Sequence, residues 1–303
     1  MNKVELVKNA IDSSGFQSTA TAAGYINPEI WNRQVLQFLE QQLVVADKAK
    51  VYDDILGAPG DTLNVTINST PTAASAVAES ADVSVTAYAT TQVVFTPTEY
   101  AYRYQISDKE SRRAFYDVMS DMTRKIGYGL ALARDDAAVS LLQTSAGNSI
   151  VANGVDASAL ASSDEIDYLD VVNAATEVRK DQLIPKYLIV SAGQLGSLTK
   201  LPQFYQVDTA GSEETLRGGR IGRMYGMDVF WTTQIADSSS TEAIVLGVDQ
   251  AGEPSFGICR KALPQVRMQR FEAGRYTDIF GVEEWDMKML RTNGACTISS
   301  YQA

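Results

Sequence analysis

The sequence predicts an α+β fold, in which one unusually long amphipathic helix is combined with strands and with a compact second unit. Three patterns indicate this. Apolar residues recur at spacings of three and four from Ser107 to Gln143, which is typical of a helix. They alternate with polar residues around Leu63–Ile67 and Tyr100–Ile106, which is typical of strands. Helical and strand patterns then alternate between residues 166 and 246, which predicts an α/β module.

Composition excludes the catalytic and metal sites that need histidine. The 303 residues carry 26 Lys and Arg against 37 Asp and Glu, a net charge of −11, with no histidine and two cysteines. Without imidazole there is no Ser-His-Asp triad, Cys-His dyad or histidine metal site. Cys259 and Cys296 form no CxxC pair and are expected to be buried thiols, although the sequence leaves one disulfide open. Phosphate-binding and nucleophile-elbow motifs are absent.

Neighbouring carboxylates are the remaining candidates for acid-base chemistry. The pairs are Asp53 with Asp54, Asp135 with Asp136, and Glu283 with Glu284. Adjacent side chains point in different directions, so we interpret such pairs as solvated or salt-bridged. We therefore expect no catalytic residue, no cofactor-binding residue and no metal ligand. Residues 1–12 lack a signal-peptide pattern and no apolar run is long enough to cross a membrane, so we expect no membrane contact.

The N-terminal third is predicted to reach outwards. Residues 13–24 are small and polar, as in a flexible arm, and Asn27 with Pro28 then begins a helix with one apolar face. From residue 57 to 98 the chain contains no Lys or Arg, and strand patterns at Leu63–Ile67 and at Val83 and Val85 flank a stretch without bulky residues. A long hairpin with so little core is expected to lie on another molecule.

The middle of the chain carries the long helix and an aromatic strand. Tyr100, Tyr102 and Tyr104 beside Arg103 could stack on single-stranded nucleic acid, but packing against the following helix is the favoured interpretation. That helix begins at Ser107 with a capping-box pattern and is predicted to run unbroken to Gln143. Two glycines within it, Gly127 and Gly129, predict a bend or a close backbone contact.

The last half combines the compact unit with a final hairpin. Strands are predicted at 188–192, 227–231 and 243–246, with a loop at 208–219. The final hairpin spans 263–271 and 279–290, with Ile279, Trp285, Met287 and Met289 on one face. A basic cluster there could meet phosphate or the carboxylates of a neighbouring molecule, but a solvated or paired strand face is the favoured interpretation. The cluster consists of Arg260, Lys261, Arg267, Arg270 and Arg275.

Three passages, in this order, resemble the major capsid proteins of tailed bacteriophages, which have the Hong Kong 97 fold. VVFTPTEYAYRYQISDKE at 93–110 is similar to the strand that enters the family's spine helix. LIVSAGQLGSLTKL at 188–201 is similar to a stretch of the axial domain. GRIGRMYGMDVFWT at 219–232 resembles the segment after which that family returns to its peripheral domain.

The resemblance implies a domain plan and a function. Residues 1–56 would be an arm and helix, 57–91 an extended loop, 92–150 and 261–303 a peripheral domain, and 151–260 an axial domain. The protein would form pentamers and hexamers of an icosahedral phage head around double-stranded DNA, assembled in the bacterial cytoplasm. Portal and scaffolding proteins, and in some phages decoration proteins, would be its partners. An encapsulin-type nanocompartment is the nearer alternative, and a carboxylate-using hydrolase a distant one.

Candidate site residues follow from the same resemblance. Intersubunit contacts are expected at Asn68, Thr70, Glu79, Asp82, Tyr88, Arg270, Gly274 and Arg275. Gly127 and Gly129 are expected to form a helix hinge. The resemblance also implies cross-linking through a loop lysine, but residues 57–98 contain none, so we expect no such cross-link here.

Overall fold

The computed structural model describes residues 44–57, 59–68, 73, 74, 76, 77, 79, 82, 83, 85, 87–114, 117–201 and 222–302. The predicted arm, the helix beginning at Asn27 and the loop at 208–219 lie outside these residues. Three β-sheets and four α-helices organise what is described. The mixture of helix and strand agrees with the predicted α+β class.

A four-stranded sheet contains the final hairpin. Its order is β1 (Lys50–Tyr52), β10 (Phe256–Phe271), β11 (Tyr276–Met289) and β4 (Thr98–Ser107). β10 and β11 pair antiparallel as far as Phe271 opposite Tyr276. The four apolar residues predicted to share one face of the hairpin are all buried, which confirms that prediction.

The long helix is two helices, so the prediction of one continuous helix is wrong. α1 (Asp108–Arg113) ends at Ala114, whose backbone is extended with φ −63° and ψ 138°. α2 (Val118–Ser145) begins after Asp117, whose side chain caps it by accepting a hydrogen bond from the Ser120 N–H. The N-cap at Ser107 is confirmed, because its hydroxyl oxygen accepts a hydrogen bond from the Glu110 N–H. At 1.5 Å per residue, the 28 residues of α2 span about 42 Å.

α2 packs on the hairpin sheet. Ile126 and Leu130 form a buried cluster with Ile279, and Tyr100 and Tyr104 of β4 cover it. A Cβ at Gly281 of β11 would lie 2.3 Å from Cγ2 of Ile126, so the helix approaches the strand where glycine leaves room. The aromatic strand therefore packs against the helix, as favoured from the sequence.

A six-stranded sheet holds the compact unit. Its order is β5 (Asn148–Val151), β12 (Ala295–Ser300), β9 (Thr241–Val248), β6 (Ile184–Val190), β8 (Met227–Trp231) and β7 (Arg223–Met224). α3 (Tyr168–Lys180) packs on β12, β5, β6 and β9, and α4 (Ala192–Thr199) follows β6. β6 starts earlier than predicted and includes Pro185, where the register with β9 shifts because proline donates no hydrogen bond.

The last strand departs from the expected domain plan. The resemblance places β12 in the peripheral domain, but this strand pairs antiparallel with β9 and parallel with β5 in the six-stranded sheet. All six of its residues are buried. This burial agrees with the position of the strand between β5 and β9 and with its contacts to α3 and α2.

The loop root is a small separate sheet of β2 (Leu63–Asn68) and β3 (Thr90–Phe95), paired from Leu63 opposite Phe95 to Asn68 opposite Thr90. Phe95 is fully buried, in a cluster with Ile55 and Cys259. Val83 and Val85, for which a strand is predicted, do not themselves lie in a strand. These two side chains are 74% and 98% exposed, so no described part of the chain covers them.

Candidate functional site

One carboxylate of each pair considered for acid-base chemistry has a structural partner. Asp53 accepts a hydrogen bond of 2.8 Å from Nε of Arg260, which lowers the pKa of this carboxyl group. Within the ranges described above, no group of three or more His, Cys, Asp or Glu side chains is arranged to hold a metal ion. None of the helices described there is long and apolar enough to span a membrane.

Glu283 is a buried carboxylate between α2 and the hairpin sheet. Its side chain is 1% exposed, and it accepts a hydrogen bond of 2.8 Å from the indole N–H of Trp285. Arg134 of α2 lies 3.5 Å away. Burial raises the pKa of Glu283, and the nearby Arg134 opposes that rise. Trp285 in turn stacks on Tyr100 with ring centroids 4.2 Å apart, so this carboxylate joins helix and sheet.

Both cysteines are free and buried. Burial raises the pKa of Cys259 to about 11 and that of Cys296 to about 12. The thiolate is the reactive form of cysteine, so neither side chain is suited to nucleophilic or redox chemistry. The disulfide that the sequence left open does not form in this structure.

The hairpin tip contains three candidate contact residues, of which Arg270 and Arg275 contact α1. The Arg270 guanidinium donates to both carboxylate oxygens of Asp108, at 3.0 and 2.8 Å, and to Glu272 at 2.6 Å, which raises the pKa of Arg270. Arg275 has φ 53°, and its carbonyl accepts a hydrogen bond from the Asp108 N–H. A Cβ at Gly274 would lie 2.2 Å from the Tyr276 ring, so the turn requires glycine. The tip is therefore fixed to the first turn of α1.

Most of the basic cluster is paired, as interpreted from the sequence. Arg260 pairs with Asp53, and Lys261 lies 3.4 Å from Asp61 and 3.7 Å from Glu284. Arg267 differs. It donates to the side-chain oxygen of Gln265, and no carboxylate of the described residues lies within 4.0 Å of it.

The loop candidates occupy exposed positions away from any cluster. Asn68 ends β2, and Tyr88 is 78% exposed. Glu79 and Asp82 are exposed, and Thr70 lies outside the described residues. Whether these residues and the hairpin tip contact other subunits stays a prediction.

The two glycines differ in their surroundings. Both lie inside α2. A Cβ at Gly129 would be 3.4 Å from the Tyr102 ring, and a Cβ at Gly127 would meet nothing within 4 Å. Neither position therefore needs glycine for packing, because one Cβ would make an ordinary van der Waals contact and the other would meet open space. The role of the two glycines as a hinge stays a prediction.

Sequence reasoning missed the segment that joins the two larger sheets. Val44, Val45 and Ala49 are buried, and the carboxylate of Asp135, which is fully buried in α2, accepts hydrogen bonds from backbone N–H groups of this segment. The Lys48 ammonium lies 4.4 Å from the ring centroid of Phe230 in β8. Asp135 and the exposed Asp136 are identical neighbours, so local sequence does not show which of them is buried. Only the helical period, which assigns the two residues to different faces of α2, could have identified Asp135.

Comparison with known proteins shows which family and which solved structures this chain is similar to. The sequence pattern of the family described as "Phage capsid protein" matches residues 90–302. A search of curated protein sequences returns no match. Among solved structures, the fold is similar to that of a chain from Mycobacterium phage Che8, with a TM-score of 0.73, 17% identity, and coverage of 91% of this chain and 98% of that chain.

Two further structures show the same likeness of fold. The capsid structure of cyanophage P-SCSP1u gives a TM-score of 0.74 at 12% identity, covering 92% of this chain and 94% of that one. The capsid of a native GTA particle gives 0.71 at 12% identity, covering 94% and 99%. The similarity thus extends over nearly the whole length of each chain.

Proposed function

The chain belongs to the phage capsid protein family and has the fold of that family's shells, and on that premise we propose that many copies assemble as pentamers and hexamers into a closed icosahedral head. Its role is structural. We further propose that the head encloses double-stranded DNA and is assembled in the bacterial cytoplasm with portal and scaffolding proteins.

The loop root carries the proposal. The sheet of β2 and β3 is anchored by Phe95 in a buried cluster, yet the chain beyond it exposes Val83, Val85 and Tyr88 by 74%, 98% and 78%. A hairpin of two strands is at best marginally stable in water by itself. Contact with a neighbouring copy would cover these side chains and order the loop.

The domain plan is proposed with its boundaries moved to the ends of the sheets. Residues 57–91 form the extended loop, and residues 92–147 with 256–291 form the peripheral domain. The axial domain then comprises 148–255 together with β12, because β5 and β12 both belong to the six-stranded sheet. Pairing of β5 with β12 supports a junction between the two domains just before residue 148.

The encapsulin-type alternative differs in what the shell encloses. Membership of the phage capsid family favours DNA over a protein cargo. The distant alternative, a carboxylate-using hydrolase, has little support from the geometry, because Asp53, Asp135 and Glu283 are occupied by structural partners. We therefore propose no catalytic activity.

Negative-stain microscopy of the purified protein tests assembly. Closed shells of uniform diameter are expected, and nuclease-protected DNA inside particles from infected cells distinguishes a phage head from a nanocompartment. Subunits that remain monomeric under all assembly conditions would contradict the proposal, and shells filled with protein alone would favour the encapsulin alternative.

A loop deletion tests the role of the loop. Replacing residues 68–87 by a short Gly-Ser turn should leave a soluble subunit with near-native melting and abolish closed shells. A matched control replaces only residues 73–77 by glycine and serine, which keeps the loop length. If the deletion unfolds the subunit, the loop belongs to an internal core; if it assembles normally, the loop does not hold subunits together.

A further inference from the structure

The bases that lack a partner are unevenly placed in the described part of the chain. Most lysine and arginine side chains there lie within 4.0 Å of a carboxylate or beside an aromatic ring. Five described bases have neither kind of partner, and three of the five belong to the short helix α1. The five are Lys109, Arg112, Arg113, Arg267 and Arg275. Unpaired positive charge is therefore concentrated on α1, in a chain whose net charge is −11.

The three bases of α1 lie on one side of the helix. Arg112 and Arg113 follow Lys109 by three and four positions, so the three side chains are neighbours on the helix surface. All three residues are exposed. Glu110, one position after Lys109, lies about 100° further around the helix. Lys109, Arg112 and Arg113, which we call the α1 ridge, thus form a basic stripe without a carboxylate inside it.

The other carboxylate of α1 is already neutralised. The Arg270 guanidinium donates hydrogen bonds of 3.0 and 2.8 Å to the two carboxylate oxygens of Asp108. A groove of 450 Å³ between α1 and the hairpin is lined by this pair and by Ser111 and Arg112. Hydroxyl and guanidinium groups are donors that bind phosphate oxygens. The groove and the α1 ridge beside it therefore favour an anionic ligand.

The charge density of the α1 ridge fits a nucleic acid backbone. Duplex DNA carries one negative charge per about 1.7 Å of its axis, or one per about 3.4 Å along each strand. Three positive charges between Lys109 and Arg113 occupy about 6 Å of helix axis, which is a similar density. Contacts with phosphate carry no sequence information, so such a surface binds any DNA sequence.

We propose that the α1 ridge contacts the phosphate backbone of the enclosed DNA, without sequence preference, and that α1 faces the inside of the head. The inference rests on the proposed function as a DNA-containing head and names the surface that meets the DNA. A wall built of copies that each carry a charge of −11 repels DNA as a whole. The α1 ridge offsets this repulsion locally, because its bases release counterions from the DNA.

The salt dependence of DNA binding tests the inference. The unassembled subunit is titrated into a fluorescent duplex of about 30 base pairs at several salt concentrations, and each phosphate contact contributes about −0.9 to the slope of log K against log salt. The triple variant combines Lys109→Gln, Arg112→Gln and Arg113→Gln. Its slope should be smaller in magnitude by about 2.7, and its affinity at about 50 mM salt should be at least about tenfold weaker.

The matched control removes three exposed bases that have carboxylate partners. Lys180, Lys200 and Lys288 lie 2.6, 3.3 and 3.9 Å from carboxylate oxygens. Their replacement by glutamine lowers the net charge by the same three units, but it should change the slope by less than about 0.5. Equal losses in the two triple variants would indicate a general effect of net charge and overturn the inference. An unmodified subunit that does not bind DNA at about 50 mM salt would overturn it as well.

A charge-preserving variant separates DNA contact from folding. Arg112→Lys combined with Arg113→Lys keeps three positive charges on the α1 ridge, so its slope should match that of the unmodified subunit. Because all three positions are exposed, the melting temperature of every ridge variant should stay unchanged. A lysine variant that loses binding as completely as the glutamine variant would contradict a contact with the phosphate backbone.

An acidic protein is the other class of ligand that a basic ridge could bind. Polyglutamate with as many charges as the duplex should displace DNA poorly, because a flexible chain loses conformational entropy on binding. Equal displacement would overturn the choice of DNA. Shell formation is measured separately by microscopy. Shells whose subunits fail these binding tests would overturn the inference and leave the shell function intact, whereas subunits that bind DNA but never form shells would count against the proposed function.

Discussion

The carboxylate of Asp135, in the middle of α2, accepts a hydrogen bond of 2.7 Å from the backbone N–H of Val45. The same carboxylate accepts hydrogen bonds from Ala46 at 2.7 Å and from Val44 at 3.4 Å. These N–H groups begin the short helical turn Ala46–Lys48, so a side chain 90 residues away in sequence caps that turn. The contact fixes the chain where it enters the described fold.

Removal of this carboxylate should destabilise the subunit. Asp135→Ala leaves buried N–H groups without an acceptor, and we expect the free energy of unfolding to fall by about 3 kcal/mol. Asp135→Asn keeps one oxygen acceptor and should lose less. Asp136→Ala, at the exposed neighbouring position, should change stability by less than about 0.5 kcal/mol. Urea denaturation of the unassembled subunit measures all three, and equal losses at the two positions would refute this role of Asp135.

Asp164 should make the stability of the folded subunit depend on pH. Its carboxylate accepts hydrogen bonds from the Ala161 N–H at 2.9 Å and from the Asn153 amide at 3.1 Å, and these bonds lower its pKa below the ordinary aspartate value. A lowered pKa in the folded state means that the stabilisation is present above about pH 4 and is lost as pH falls through the lower, folded-state pKa.

The comparison of Asp164 with Asp164→Asn isolates this effect. The variant should melt at a lower temperature than the unmodified subunit at pH 7, and the difference should shrink as the pH is lowered below about 4. Thermal melting of the two subunits over a pH series is the measurement. A difference that stays constant or grows in acid would show that another group is responsible.

Replacement of Gly127 and Gly129 by alanine tests whether α2 bends during shell maturation. Alanine stabilises a helix by about 1 kcal/mol relative to glycine, so the double variant should raise subunit stability. If the helix changes curvature between an immature and an expanded shell, the same variant should hinder expansion. Gly127→Ala alone, at a position with open space, is the control. Normal expansion of the double variant by heat or acid would reject the hinge.

Mature particles should contain no covalent link through the loop. Residues 57–98 contain no lysine, so the loop lacks an amine that could form an isopeptide bond. Particles boiled in detergent should therefore run as one band near the monomer mass of 32.9 kDa. A ladder that survives reducing agent would show that a lysine elsewhere forms such a bond.

The two cysteines should be unreactive in the native subunit. Burial raises the pKa of Cys259 to about 11 and of Cys296 to about 12, so both remain protonated at about pH 8. A thiol reagent should titrate no group in the folded protein and two groups in denaturant. Reaction of one thiol in the native state would place it at the surface and contradict its burial in the core.

Local patterns in the sequence determined much of the architecture. Alternating residues predicted β2, β4 and the buried face of β11, because side chains on a strand point to opposite faces in turn. The start of α1 at Ser107 followed from capping chemistry, which acts within three residues. The absence of histidine by itself excluded every catalytic site that needs an imidazole.

Only the tertiary structure decided the features that depend on distant residues. Three such features join or separate elements that are far apart in the chain. They are the position of β12 in the six-stranded sheet, the capping of Val45 by Asp135, and the edge of β10 beyond its short pairing with β1. The break between α1 and α2 was also not predicted, since Phe115 continues the helical period in the sequence. Local propensity is worth about 1 kcal/mol per residue or less, so packing between distant elements overrides it. Sequence periodicity therefore determines which face of an element is buried, and the folded chain selects the neighbour that buries it.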